Sequence, residues 1–161
     1  MGGGPEDDSR RPKLRRERGG RSDVKITLLL CDHAQEVGGK LYVLGGGWSI
    51  YRGTPVTMAL AVKIAVPWDA ANISHEFSAR LVTEDGGDPT LVGPEGASAP
   101  TPIQFEGRFE AGRPAGLAPG SELDAPFAVN IAGLPLPSGR YEWHVAIDGE
   151  LADRVSFTVV T

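Results

Sequence analysis

The chain is short of the residues that usually carry chemistry. Its 161 residues include one cysteine and three histidines. A single cysteine, Cys31, excludes an internal disulfide framework and fits a reducing cytosol. No apolar run reaches the roughly 18 residues of a membrane-spanning helix, so no membrane span is expected. The basic residues near the start are not followed by an apolar core segment. Leu28-Leu29-Leu30 belongs instead to a short amphipathic strand pattern, so no secretory signal is expected. Glu6 stands where the N-myristoylation pattern needs Ser or Thr. These features together place the expected location in the cytoplasm.

What is present is glycine, proline and an uneven charge. Arg outnumbers Lys twelve to four, and Gly, Ala and Pro are abundant, a composition associated with GC-rich bacterial genomes. The net charge of −5 is split along the chain. Residues 1–23 hold seven Arg/Lys against five Asp/Glu, which leaves nine against sixteen for residues 24–161. The acidic body is therefore a poor candidate for nucleic-acid binding. Residues 1–23 have one aliphatic side chain beyond Met1, Leu14. Such a segment buries too little apolar area to offset its ordering entropy, so it is expected to be a disordered basic tail preceding a domain at 24–161. It reads either as a solvated tail or as an electrostatic tether.

From Val24 onward the hydrophobic pattern has period 2, with glycine- and proline-rich spacers. It predicts eight strands, at about 24–31, 40–50, 56–66, 73–83, 101–110, 125–132, 140–147 and 153–160. In the stretch Lys40-Leu-Tyr-Val-Leu-Gly-Gly-Gly-Trp48 the alternation suggests a buried strand. The three glycines suggest a bulge or a close strand crossing. Tyr141, Trp143, Val145 and Ile147 form one apolar face. Asp148-Gly149 supplies the two positive-φ positions of a type I′ hairpin turn, and Val155, Phe157 and Val159 return the face. The expected fold is all-β: an antiparallel β-sandwich of Greek-key or jelly-roll order. The strand at 56–66 is long enough to be an edge that pairs with a second copy.

Several motifs stand in a fixed order. They are Ala34-Gln35; Gly39-Lys-Leu-Tyr-Val-Leu-Gly-Gly-Gly-Trp48; Val66-Pro-Trp-Asp69 with Asn72 and His75; and Glu84-Asp-Gly86. Further on come Gly112-Arg-Pro-Ala-Gly-Leu117, Pro119-Gly120, Leu136-Pro137, Gly139-Arg-Tyr-Glu-Trp143 and Ile147-Asp-Gly-Glu150. Over about residues 24–160 the chain resembles a bacterial family of uncharacterised proteins, a domain of unknown function. The resemblance implies a compact β-sandwich. It carries over no catalytic residue, ligand or partner.

Candidate chemistry is thin. Gly45-Gly-Gly47 lacks the Lys-Ser/Thr pair of a phosphate loop, and Ile50 breaks the dinucleotide-binding glycine pattern. Cys31, Asp32 and His33 adjoin, but a strand would hold Cys31 and His33 several ångströms apart with Asp32 on the other face. His33, His75, His144 and Cys31 include no close ligand pair for zinc. Glu84, Asp85 and Asp88 lack the alternation of an EF-hand loop. No cofactor and no metal are expected. The best candidates for a ligand or partner contact are Trp48, Trp68 and Asp69 in loops, with Arg113 between Gly112 and Pro114. Trp143 is expected in the core. The tryptophans read either as plugs closing the sandwich or as exposed faces for a carbohydrate.

The preferred reading is a non-enzymatic interaction or accessory module with a protein partner. The alternatives are a small-ligand binder, most plausibly of carbohydrate, and a jelly-roll enzyme. The jelly-roll enzyme is the weakest, since the clustered His and Glu ligands of such enzymes are missing from the sequence.

Overall fold

The computed structural model describes residues 24–96 and 98–161. The expected basic tail at 1–23 lies outside the described residues. Twelve strands follow in chain order: β1 (Lys25–Cys31), β2 (His33–Val37), β3 (Lys40–Leu44), β4 (Ile50–Arg52), β5 (Val56–Val66), β6 (Ser74–Thr83), β7 (Thr90–Val92), β8 (Ser98–Pro100), β9 (Ile103–Glu110), β10 (Leu123–Leu134), β11 (Gly139–Ile147) and β12 (Glu150–Val160). The one helical element among the described residues is a 3-10 turn at Trp68–Ala70.

Two sheets make the sandwich. One has the order β1-β5-β10 and the other β4-β12-β11-β6-β9, with small β2–β3 and β7–β8 hairpins beside them. All the pairings are antiparallel except β4 with β12. The chain crosses between the two sheets from β1 to β4 by way of the β2–β3 hairpin, and again after β4, β5, β9 and β10. This is the Greek-key order of an immunoglobulin-type sandwich and not a jelly roll. The first strand is shared out: β1 lies in one sheet, and β4 joins the other beside the last strand.

The core forms where the two inner faces meet. Trp143, Phe157, Leu30, Met58, Leu60, Ile64 and Leu81 are fully buried there. Each such side chain contributes about 1.5–3 kcal/mol of hydrophobic stabilisation. The Trp143 indole N–H has a buried partner, donating to Met58 Sδ across the two sheets at 3.3 Å. Tyr141, at the start of β11, donates its hydroxyl to the Pro137 carbonyl at 2.8 Å. That bond back to the preceding connection is the tyrosine corner of such sandwiches. At the β11–β12 turn Asp148 and Gly149 both have positive φ, as their sequence predicts.

Three expectations need correcting. The strand expected at 40–50 is two strands in different sheets: β3 ends at Leu44 and β4 begins at Ile50. Nor is β3 buried, for Tyr42 is 58% and Leu44 68% exposed. The β2–β3 hairpin lies on the outside of the three-stranded sheet, and only one of its faces is supported. Ala34 and Leu41 cover Cys31, Ala59, Ala61 and Ala128 from above. β5 is a central strand, paired with β1 on one side and β10 on the other, where the sequence suggested an edge, and the hairpin covers Ala59 and Ala61 on its outer face.

The glycines explain the break. A Cβ on Gly45 would sit 2.0 Å from Asp32 Oδ2, and one on Gly46 would sit 2.8 Å from Leu29 Cδ2. Gly47 has φ +87° and donates its N–H to the Leu30 carbonyl at 2.8 Å. The run therefore brings backbone close against β1 at a turn no side chain could share.

Candidate functional site

Three of the four candidate residues come together at one end of the sandwich. β5 ends at Val66, and Pro67 leads into the 3-10 turn that carries Trp68 and Asp69. The loop between β9 and β10 returns Arg113 to the same place. Its guanidinium lies over the Trp68 ring, 4.7 Å from the centroid, and its Nη2 donates to the Trp68 carbonyl at 2.6 Å. Asn72 N–H donates to the Ala111 carbonyl at 2.9 Å and pins the same loop. Trp68, Asp69 and Pro67 line an open groove of about 700 Å³ together with Lys25 and Glu122, which pair at 2.7 Å. Asp69 is exposed and Trp68 half-buried. The arrangement is a cation–π contact whose cation covers one face of the indole.

Trp48 lies elsewhere. It follows Gly47, which bonds Leu30 near the far end of β1, whereas Lys25 lines the Trp68 groove. Its ring packs on Tyr51 at 5.6 Å and edge-on to Phe157 at 6.0 Å, and its indole N–H donates to Asp32 Oδ1 at 3.1 Å. Trp48 thus seals the core beside β4, half-buried with its polar edge satisfied.

The groups weighed for catalysis or metal binding have separate partners. Cys31 is fully buried, and its thiol donates to the Ala59 carbonyl at 3.5 Å. Burial, and secondarily the charge of Asp32, push the thiol pKa up, away from a reactive thiolate. His144 contacts the Glu142 carboxylate at 2.6 Å on the outer face of β11, where Ser156 also donates to Glu142 at 3.0 Å. The His144 hydrogen bond, against the cost of burial, holds the Glu142 carboxyl below its ordinary range. Among the described residues no three His, Cys, Asp or Glu side chains are grouped to hold a metal ion.

Sequence reasoning missed one buried polar pair. His75, on β6, is 4% exposed. Its Nδ1 faces Asp148 Oδ2 at 2.8 Å and its Nε2 faces the Ala70 carbonyl at 3.0 Å. Its ring stacks on Phe109 with centroids 5.3 Å apart. Asp148 also accepts the Glu76 backbone N–H through Oδ1 at 2.9 Å. Both ring nitrogens thus face oxygens that only accept, which favours the doubly protonated ring. Burial opposes that charge, but the Asp148 and Ala70 hydrogen bonds outweigh it, and the His75 pKa is raised. Burial likewise opposes the Asp148 charge, yet its bonds to His75 and Glu76 draw the carboxyl below its ordinary value. The pair ties the β11–β12 turn to the 3-10 turn. The available signal was His75 in an otherwise apolar strand row; Asp148 gave none, since Asp-Gly is ordinary in such a turn.

Among the described residues, exposed large apolar side chains are grouped on the outer face of the β2–β3 hairpin. The register pairs His33 with Leu44, Gln35 with Tyr42 and Val37 with Lys40, which puts Val37, Tyr42 and Leu44 on one side. Asn130 fastens the hairpin from below: its Oδ1 accepts the Ala34 N–H at 3.1 Å and its Nδ2 donates to the Ala34 carbonyl at 2.8 Å. No helix among the described residues is long and apolar enough to cross a membrane.

Nine chains of known structure are similar. One is the Pseudomonas fluorescens alkylpurine DNA glycosylase AlkC bound to DNA containing an abasic site analog, 14% identical with a TM-score of 0.48; the match covers 89% of this chain and 32% of that one. Another is an immunoglobulin-like protein from Pseudomonas aeruginosa, 15% identical with a TM-score of 0.45, covering 88% of this chain and 100% of that one. At these scores neither speaks to what this chain does, and the chain spans only about a third of the glycosylase. No curated protein matches. The model of a family of unknown function, DUF6941, matches residues 26–160, and the chain belongs to that family.

Proposed function

We propose that the domain is a non-enzymatic interaction module of a bacterial cytosol, binding a partner protein through the outer face of the β2–β3 hairpin. The observation that carries this reading is the hairpin itself. Asn130 and a floor of alanines hold it rigidly on the sheet, while Val37, Tyr42 and Leu44 face outward without packing on the core. Grouped apolar side chains on a soluble surface mark an interaction site, and tyrosine is enriched at such sites. The buried, unreactive Cys31 suits a reducing compartment.

Carbohydrate binding at Trp68 is the weaker reading, because Arg113 already occupies one face of the indole and a sugar would have to use the other. The test compares the immobilised full chain with its Tyr42→Ser/Leu44→Ser variant in host extract. The expected result is a protein retained by the first and lost from the second. Equal retention by both, or no retained protein, refutes the reading.

A further inference from the structure

The sandwich is open along one side. β9 ends the five-stranded sheet and β10 ends the three-stranded sheet, so two strand edges face each other without a strand between them among the described residues. The chain passes from one to the other through residues 111–122, which are too rich in Gly and Pro to supply a strand. A groove of about 540 Å³ runs along this seam, and its floor is aromatic: Phe77, Phe109 and Phe127. Phe77 meets Phe127 edge to face at 4.5 Å, and Phe109 lies 6.5 Å from Phe127.

One residue makes the floor incomplete. The inward row of β9 reads Ile103, Phe105, Gly107, Phe109. Gly107 sits directly opposite Phe77 of β6. Its backbone is not in the left-handed region, and a Cβ built on it would meet nothing within 4 Å. Neither the turn of the chain nor crowding requires glycine here. Its effect is a notch in the row, with the Phe77 ring beneath. Glycine inside a strand with no conformational reason often marks the close approach of another backbone or ligand.

The two edges differ. β10 carries Pro126, which has no N–H to offer an added strand, and proline blunts a strand edge. β9 has no proline between Ile103 and Glu110, so its outer edge is the one fit for strand addition. The rim is acidic, with Glu36, Glu110 and Asp124 against Arg108. Arg108 is itself paired with Glu76 at 3.1 Å, and Asp124 with Lys63 at 3.1 Å, both as exposed pairs of little energetic weight.

We infer that this seam is a second docking site, built for an extended segment of a partner protein. The segment adds as a strand to the outer edge of β9 and places one apolar side chain, flanked by basic residues, in the notch at Gly107. Main-chain hydrogen bonds supply affinity in this mode, and the pocket supplies specificity. The inference extends the reading of the domain as an interaction module but uses a surface separate from the outer face of the β2–β3 hairpin; of that hairpin only Glu36, on the other face, reaches the rim.

The test uses the full chain and a fluorescein-labelled peptide of eleven residues with a central leucine, arginines two positions away on either side, and threonine or valine between them. Anisotropy is expected to show saturable binding, and hydrogen exchange to show new protection confined to residues 103–110. Gly107→Val fills the notch with a residue suited to a strand and is expected to weaken binding by about tenfold or more while leaving the thermal midpoint no lower. A twin peptide with glutamates for arginines is expected to bind several-fold more weakly, on the order of fivefold. Tyr42→Ser/Leu44→Ser is expected to leave peptide binding unchanged, which keeps this site distinct from the hairpin. The inference is overturned by any of four results: no binding to the wild-type chain, equal binding by Gly107→Val, protection elsewhere, or a concentration-dependent dimer that Gly107→Val abolishes and that identifies a second copy as the occupant.

Discussion

Replacing Asp148 by Asn should change the protonation state of a buried ring without disturbing the backbone around it. Position 148 has φ +50°, which Asn tolerates as Asp does. The Asn Oδ1 can still accept the Glu76 N–H, and the amide can donate to His75 Nδ1. The ring then satisfies both contacts as the neutral tautomer, with Nε2–H on the Ala70 carbonyl. What disappears is the charge-assisted bond. Hydrogen bonds to charged groups contribute about 1.5–3 kcal/mol and neutral ones about 0.5–1.5 kcal/mol, so the difference is on the order of 1–1.5 kcal/mol. The lower end applies, because the Asp148 side chain is 42% exposed and solvent screens it.

The pH dependence follows from the directions of the two shifts. His75 has a raised pKa when folded, so its contribution is complete below the ordinary histidine value of about 6.5 and disappears as pH rises through the folded value. Asp148 has a lowered pKa, so its contribution is complete above about 3.9 and disappears as pH falls through the folded value. The pair therefore stabilises most between about pH 3.9 and 6.5. Urea unfolding of wild type and Asp148→Asn between pH 5 and 9 should show a gap that is widest near the acid end and narrows through the folded His75 pKa. The His75 ring proton signal should titrate above its ordinary value in the wild type and below it in the variant. A gap of the same size at pH 5.5 and pH 9, or a wild-type His75 that titrates below its ordinary value, refutes a charged ring.

Two further outcomes test the site assignments. Asn130→Ala leaves the Ala34 N–H and carbonyl without their partner, and should cost about 1–3 kcal/mol and raise protease cleavage in residues 33–44 before the core is cut. Arg113→Ala uncovers one face of Trp68 and should increase acrylamide quenching of tryptophan emission, while the contribution of the fully buried Trp143 stays protected.

The parts legible in the sequence were those where local chemistry and burial agree. β11 and β12 have clean alternation, a turn that needs two positive-φ residues, and one buried face, so their pattern and their placement coincide. β5 was placed correctly from Val56 to Val66. Its role as a central strand was not visible, because the alanines on its outer face read as small and neutral until a hairpin is laid over them. β2 was missed because His33-Ala-Gln-Glu-Val37 is polar and pairs only with β3. Tyr42 and Leu44 misled for the opposite reason, having the alternation of a buried strand on a face that nothing covers.

Among the candidates, Trp68, Asp69 and Arg113 do converge, though the loop carrying Arg113 lies more than forty residues from Trp68 and its contact leaves no local sequence trace. The pairing of His75 with Asp148 spans 73 residues and is equally silent in any short window. The notch at Gly107 is harder still to read, since it consists of a missing side chain in an otherwise ordinary strand.

The pairing of β4 with β12 bears on how the molecule is made. Ile50 lies beside Thr158, so one of the earliest segments of the domain finds its hydrogen-bonding partner only when one of the latest arrives. On a ribosome, β4 has no strand partner until β12 has emerged, and the Trp48–Phe157 contact beside it must wait equally long. Contacts this distant in sequence slow folding, placing such sandwiches in the millisecond-to-second range. During that interval the inner face of the second sheet lacks Phe157 and Val159, and the core beside Leu30, Met58 and Leu60 is not yet closed. The vulnerable state of this protein is thus the nearly finished one, and truncation of the last few residues should impair its yield far more than its fold would suggest from area alone.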